Sequence, residues 1–184
     1  MKKMIFFFLF LGICILISGC GEKKGLEELI MNEEELFDIY YIKEAPITNE
    51  KHSITEVIKV VFSMSDSSTG DTLAIDIEEN EVYIDPWMSS LGVNTVEGTK
   101  KVEDAEKVLD VLKKYNVQEW KKDYTRENSS TYEDGFGWSL KLQFKNGMVE
   151  EHSGSGSEDE VTPENFEEFY EELSQFVDER LDEK

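Results

Sequence analysis

The stretch Trp138-Ser139-Leu140-Lys141-Leu142-Gln143-Phe144, followed by Lys145, Asn146-Gly147 and Met148-Val149-Glu150-Glu151-His152, decides the fold. Apolar and polar residues alternate in its first half, the period of a half-buried strand. Asn146-Gly147 predicts a tight hairpin turn of type I′, which needs φ > 0 at both positions. Residues 138–152 are therefore predicted to be an antiparallel hairpin. Leu73-Ala74-Ile75-Asp76-Ile77 repeats the alternation, Glu79-Asn80 turns the chain, and Val82 and Ile84 return before Pro86. This predicts a second hairpin over 71–86. Upstream, 54–64 is rich in β-branched residues and predicts one more strand.

Two amphipathic helices complete the pattern. Over 102–115, Ala105, Val108, Leu109, Leu112 and Tyr115 form one apolar stripe, with Glu103–Lys107 and Asp110–Lys114 as i,i+4 pairs. Over 163–180, Thr162 is the expected N-cap and Pro163 the first helical residue, and Phe166, Phe169, Tyr170, Leu173, Phe176 and Val177 face one side. Gly154 to Glu160 reads as a loop between strand and helix. The apolar positions of the two hairpins correspond at a constant offset of 67, Leu73 with Leu140 and Val82 with Val149, so the chain reads as two hairpin-plus-helix units. The expected fold is α+β: one twisted antiparallel sheet with both helices on one face.

The N-terminus has a different character. Lys2 and Lys3 precede an apolar run from Met4 to Ile17, followed by Ser18-Gly19-Cys20. A run of about 14 residues is short of the ~20 that span a bilayer, and this layout is that of a signal peptide. The ending Ile17-Ser18-Gly19-Cys20 resembles the lipobox of bacterial lipoproteins. The resemblance implies cleavage between Gly19 and Cys20 and a diacylglyceryl group on the Cys20 thiol. It also implies a location on the outer face of the cell membrane. The expected organisation is a signal peptide over 1–19, a tether with a short helical or extended segment over 20–50, and a globular domain over 51–184.

Composition limits the function. Residues 1–19 hold two lysines and no acid, so their removal takes the formal charge from −22 to −24. Such a surface repels phosphate backbones and excludes nucleic acid as a partner. It also repels anionic headgroups, which leaves acyl chains to hold the protein at a membrane. Both cysteines, Cys14 and Cys20, belong to the signal, so the domain has no internal disulfide and no thiol nucleophile. Few Ala and Arg and many Ile, Glu and Lys match the bias of an AT-rich genome.

The chain is also similar to a family of uncharacterised lipoproteins from Gram-positive bacteria. The similarity rests on Val60-Val61-Phe62-Ser63-Met64-Ser65, Asn116-Val117-Gln118-Glu119-Trp120, Asp134-Gly135-Phe136-Gly137-Trp138, and Ser153-Gly154-Ser155 leading to Thr162-Pro163-Glu164-Asn165-Phe166. It implies fold and location and carries no catalytic residue.

No catalytic spacing stands out. His52 and His152 lie in different segments and form no zinc motif. Ser153, Ser155 and Ser157 sit in a Gly-rich stretch without a nucleophile elbow. Two oxygen-rich stretches, Asp66-Ser68-Asp71 and Glu158-Asp159-Glu160, are candidate cation loops, though neither has EF-hand spacing. Trp87, Trp120 and Trp138 suit a ligand platform, with at least two expected in the core. The expectation is a non-enzymatic binding module with no cofactor beyond the lipid on Cys20, and a protein or cell-wall polymer as partner. The alternatives are a wall-glycan hydrolase using a carboxylate pair and a weak Ca²⁺-binding surface protein.

Overall fold

The computed structural model describes residues 31–65, 70–84, 99–125 and 135–182, and the structural statements below concern these. Six antiparallel strands form one open sheet: β1 (Val57–Ser65), β2 (Gly70–Asp76), β3 (Glu81–Ile84), β4 (Thr99–Lys101), β5 (Phe136–Phe144) and β6 (Val149–Gly156). Their order is β4-β3-β2-β1-β5-β6. The helices are α1 (Glu33–Phe37), α2 (Val108–Lys114), α3 (Glu158–Val161) and α4 (Phe166–Asp182). The α+β architecture expected from the hairpins is the one observed.

Strand alternation sorts the sheet into two faces. One face carries Val60, Phe62, Leu73, Ile75, Val82, Phe136, Trp138, Leu140 and Leu142. Val108, Val111 and Leu112 of α2 and Phe166, Phe169, Leu173, Phe176 and Val177 of α4 pack against it. Aromatic rings dominate this core. Phe62 contacts Phe166 and Phe169, and Trp120 meets Trp138 and Phe169 edge-on.

The opposite face is covered as well. Ile39, Ile42 and Ala45 bury themselves on Val61, Ala74, Tyr83 and Val149. Residues 32–48, within the stretch read above as a tether with a short helical or extended segment, thus pack on the sheet. Their helix-or-strand ambiguity resolves into α1, with an Asn32–Glu35 capping box, and a 3-10 turn at Ile39–Tyr41. This second cover explains why Val57 to Phe62 is a nearly continuous apolar run rather than an alternating one.

Several local readings change. Gly147 has φ 81° but Asn146 has no positive φ, so the turn is not type I′. Phe144 N–H donates to the Met148 carbonyl at 2.9 Å, closing a three-residue loop with Gly147 in the left-handed region. The first hairpin, by contrast, turns through residues 77–80 with Asn80 at φ 53°. The offset of 67 survives in the first strands, where Ile75 and Leu142 both oppose Val60. It fails in the second strands: Val82 opposes Ile75, whereas Glu150 opposes Leu142. Five residues separate the last ladder pair of the second hairpin, Gln143 and Val149, against four between Asp76 and Glu81, and this one extra residue swaps the faces of the return strand.

The helix expected at 102–115 is shorter. Asp104 makes no side-chain cap, residues 105–107 form a 3-10 turn, and α2 begins at Val108. Asp104 binds Lys107 at 2.8 Å, Asp110 lies 3.4 Å from Lys113, and Lys114 pairs with Glu172, so neither expected i,i+4 pair forms. The last helix starts at Phe166 rather than 163. Thr162 Oγ1 donates to the Glu158 carbonyl at 2.9 Å, which closes α3 instead of capping α4. Residues 154–156, read as loop, extend β6.

Candidate functional site

The hairpin register places Glu150 and His152 opposite Leu142 and Leu140, on the helix-covered face of β6. Both side chains are enclosed, at 3% and 0% exposure. His152 Nε2 lies 2.8 Å from Glu150 Oε1, and Nδ1 lies 3.0 Å from the Lys121 carbonyl oxygen. Lys122 Nζ reaches the same Glu150 oxygen at 2.7 Å. Burial alone raises the Glu150 pKa, but the hydrogen bonds from His152 and Lys122 outweigh it and hold the carboxyl below its ordinary value. The segment carrying Lys121 and Lys122 runs along the outer edge of β6, with Ser153 N–H on the Lys122 carbonyl at 3.0 Å and Tyr124 N–H on the Ser153 carbonyl at 2.8 Å. Every polar atom of the imidazole is engaged, and no solvent reaches it. The cluster ties residues 121–124 to an edge strand, with the imidazole closed to solvent. The sequence signal that would have found it is two polar residues, i and i+2, in phase with Leu140 and Leu142 across the hairpin.

The other sheet face holds a row of charges. Lys59 and Asp76 oppose each other on β1 and β2 and form an enclosed ion pair, at 3% and 6% exposure. Beyond them, the Tyr83 hydroxyl donates to Glu81, which also binds Lys101 at 3.0 Å. Burial raises the Glu81 pKa, but these two hydrogen bonds outweigh it. Burial and the Glu81 carboxylate push Tyr83 well above its ordinary range. On the far side, Lys141 pairs with Glu151. Gln143 Nε2 donates to the Leu36 and Gly147 carbonyls at 2.7 and 3.3 Å, and its Oε1 is buried without a partner.

Among the described residues, an open groove of about 680 Å³ lies elsewhere, between α2 and α4. Val111 and Phe176 contribute apolar surface, and Asp110, Glu168, Glu171, Glu172 and Glu179 line it together with Lys107, Lys114 and Arg180. Part of this charge is internally paired. Arg180 makes a two-pronged contact with Asp104, both arms at 2.8 Å, while its guanidinium lies 3.4 Å over the Phe176 ring. Glu172 accepts from Lys114 and, at 2.7 Å, from the Tyr115 hydroxyl, which hold it below the ordinary carboxylate range. Glu168 and Glu171 add negative charge at the rim.

The residues singled out in the sequence are scattered. Gly19, Cys20, Asp66, Ser68 and Trp87 lie outside the described residues. Asp71 sits on β2, and its carboxylate accepts the Tyr170 hydroxyl at 3.0 Å, which with burial pushes that tyrosine up to about 12. Glu158, Asp159 and Glu160 fall in α3 rather than a loop. Among the described residues, no group of three His, Cys, Asp or Glu side chains is placed to hold a metal ion. Ser153 and Ser155 stand on β6 facing away from the helices, and His52 stacks on Phe144 at 4.5 Å. Trp120 and Trp138 are core residues.

Compared with known proteins, the chain matches no family model, no curated protein and no solved structure.

Proposed function

We propose that the protein is a lipid-anchored binding module on the outer face of the cell membrane, without catalytic activity of its own. The observation that carries the location is the apolar run ending in Ser18-Gly19-Cys20 directly before a polar stretch. The resemblance to a lipobox, and to uncharacterised Gram-positive lipoproteins, supports a diacylglyceryl group on Cys20 after cleavage at Gly19. Among the described residues, no helix is long and apolar enough to cross a membrane. The groove between α2 and α4 supports binding: it is open, acidic at its rim and apolar beneath. A protein or wall polymer bearing basic groups fits that chemistry. The enclosure of the Glu150–His152 pair argues against that pair as an acid–base couple.

The anchor is tested by Cys20→Ala and by globomycin treatment of expressing cells. Each is expected to leave an unprocessed precursor on a gel; unchanged migration under both refutes the lipobox. The groove is tested by crosslinking in cells with Glu168→Lys/Glu171→Lys. Loss of a specific crosslinked partner is the expected result. Turnover of wall glycan by the purified chain, with no partner recovered, would replace binding by hydrolysis.

A further inference from the structure

The two layers covering the sheet are unequal. Among the described residues, twenty-four buried apolar side chains make the helix-side core, against seven on the other side. Only Ile39, Ile42 and Ala45 of those seven come from the covering segment. That segment has little structure of its own. α1 is five residues long with none buried, and a three-residue 3-10 turn follows. Helices this short do not persist without tertiary support.

Ile39 and Ile42 hold the middle of the segment by apolar contact, and hydrogen bonds hold it near both ends. At one, Gln143 Nε2 holds the Leu36 carbonyl at 2.7 Å. At the other, Thr48 N–H donates to the Val149 carbonyl at 2.8 Å, and Val149 N–H donates to the Pro46 carbonyl at 2.9 Å. The backbone hydrogen bonds of residues 38–44 are local ones, such as Tyr41 N–H to the Asp38 carbonyl and Glu44 N–H to the Tyr41 carbonyl.

The surface beneath is polar for a core. It contains the enclosed Lys59–Asp76 pair and Gln143, whose Oε1 has no hydrogen-bond partner. Lifting the cover returns these groups to water, and their recovered hydration offsets much of the apolar burial lost. The freed chain also regains the conformational entropy of about a dozen ordered residues. Among the described residues the orphaned buried side-chain atom, Gln143 Oε1, lies on the strap side, whereas the buried Glu150, His152 and Arg180 on the helix side are all partnered and sit in the larger apolar core, where opening exposes far more apolar surface.

We infer that residues 32–45 form a strap that opens as a unit about Pro46, uncovering Lys59, Asp76, Tyr83 and Gln143 while the sheet and its helices stay folded. This is sub-global opening, with the hinge where backbone pairing to Val149 begins. It does not depend on the Cys20 lipid or on what the groove binds.

Hydrogen exchange of the full chain in detergent micelles, read residue by residue in low denaturant, tests the inference. The amides of Tyr41, Ile42 and Glu44 are expected to exchange about tenfold or more faster than those of β1 and β5. They should also show a shallower denaturant dependence, the mark of a small opening. Val177→Ala, in α4, supplies the control. It should speed exchange in β1 and β5 by weakening the whole fold, yet leave the strap rates unchanged, because α4 is intact in the opened state. Equal rates and slopes for strap and sheet would overturn the inference. So would strap amides that accelerate with Val177→Ala by the same factor as the sheet.

Discussion

At the residue scale, the tightest constraint is Gly154. The Trp138 indole N–H donates to the Val161 carbonyl at 2.8 Å directly across this glycine. A Cβ there would lie 2.1 Å from that carbonyl oxygen and 2.5 Å from the indole nitrogen. Both neighbours are fixed, one in backbone and one in a packed ring, so neither yields cheaply. Gly154→Ala is expected to cost roughly 2–4 kcal/mol in a urea melt, more than the usual surface substitution. Glu150 gives a pH-dependent counterpart. Its folded pKa is depressed, so its contribution is present above the unfolded carboxylate value near 4.3 and disappears as pH falls through the lower folded value. Glu150→Gln should therefore cost roughly 1–3 kcal/mol at pH 7. The gap from the parent protein should close below about pH 4. A constant gap across that range would refute the assignment.

At the element scale, legibility followed the number of faces each element buries. The hairpins were readable because a strict period of two survives wherever one face outweighs the other. The α4 stripe was readable because Phe166, Phe169, Leu173 and Phe176 recur at helical spacing. β4 was invisible, since Thr99-Lys100-Lys101 has no apolar residue and is defined by pairing to β3. The strap stays open between helix and strand in the sequence for a related reason. Ile39, Ile42 and Ala45 are spaced for a helix, but Asp38 and Pro46 break it, so only the tertiary contact orders the segment. The Lys59–Asp76 pair shows why that face resists sequence reading: alternation would send both side chains to water, yet they are enclosed, on the sheet face where Ile39, Ile42 and Ala45 pack. Removing one partner leaves a buried uncompensated charge, so Lys59→Met alone is expected to cost about 3–5 kcal/mol. Lys59→Met/Asp76→Leu together should recover most of that loss. A double variant as unstable as the single ones would mean the pair contributes net stability rather than register.

At the scale of the whole molecule, charge sets the behaviour. The chain carries −22, and −24 without residues 1–19. Along α4, Glu167 and Glu171, and Glu168 and Glu172, stand at i,i+4 spacing, where like charges cost a few tenths of a kcal/mol each, whereas Glu164 precedes the helix. Cross-helix pairing relieves only part of this, through Lys114 with Glu172 and Arg180 with Asp104. The aromatic underside of α4 must outweigh the rest, and burial of Phe166, Phe169 and Phe176 does so at roughly 25 cal/mol per Å². The domain should thus be folded at low salt and gain stability as NaCl rises to ~0.15 M, where screening extends only ~8 Å. Calcium is expected to add little beyond its ionic strength, because Asp71 is engaged by Tyr170 and Glu158 and Glu160 are exposed on a short helix. Thermal melts in NaCl and CaCl₂ at matched ionic strength separate the two effects. Coincident curves are the expected result; a rise of many degrees in micromolar CaCl₂ would instead require a specific site and would revive the cation-binding alternative.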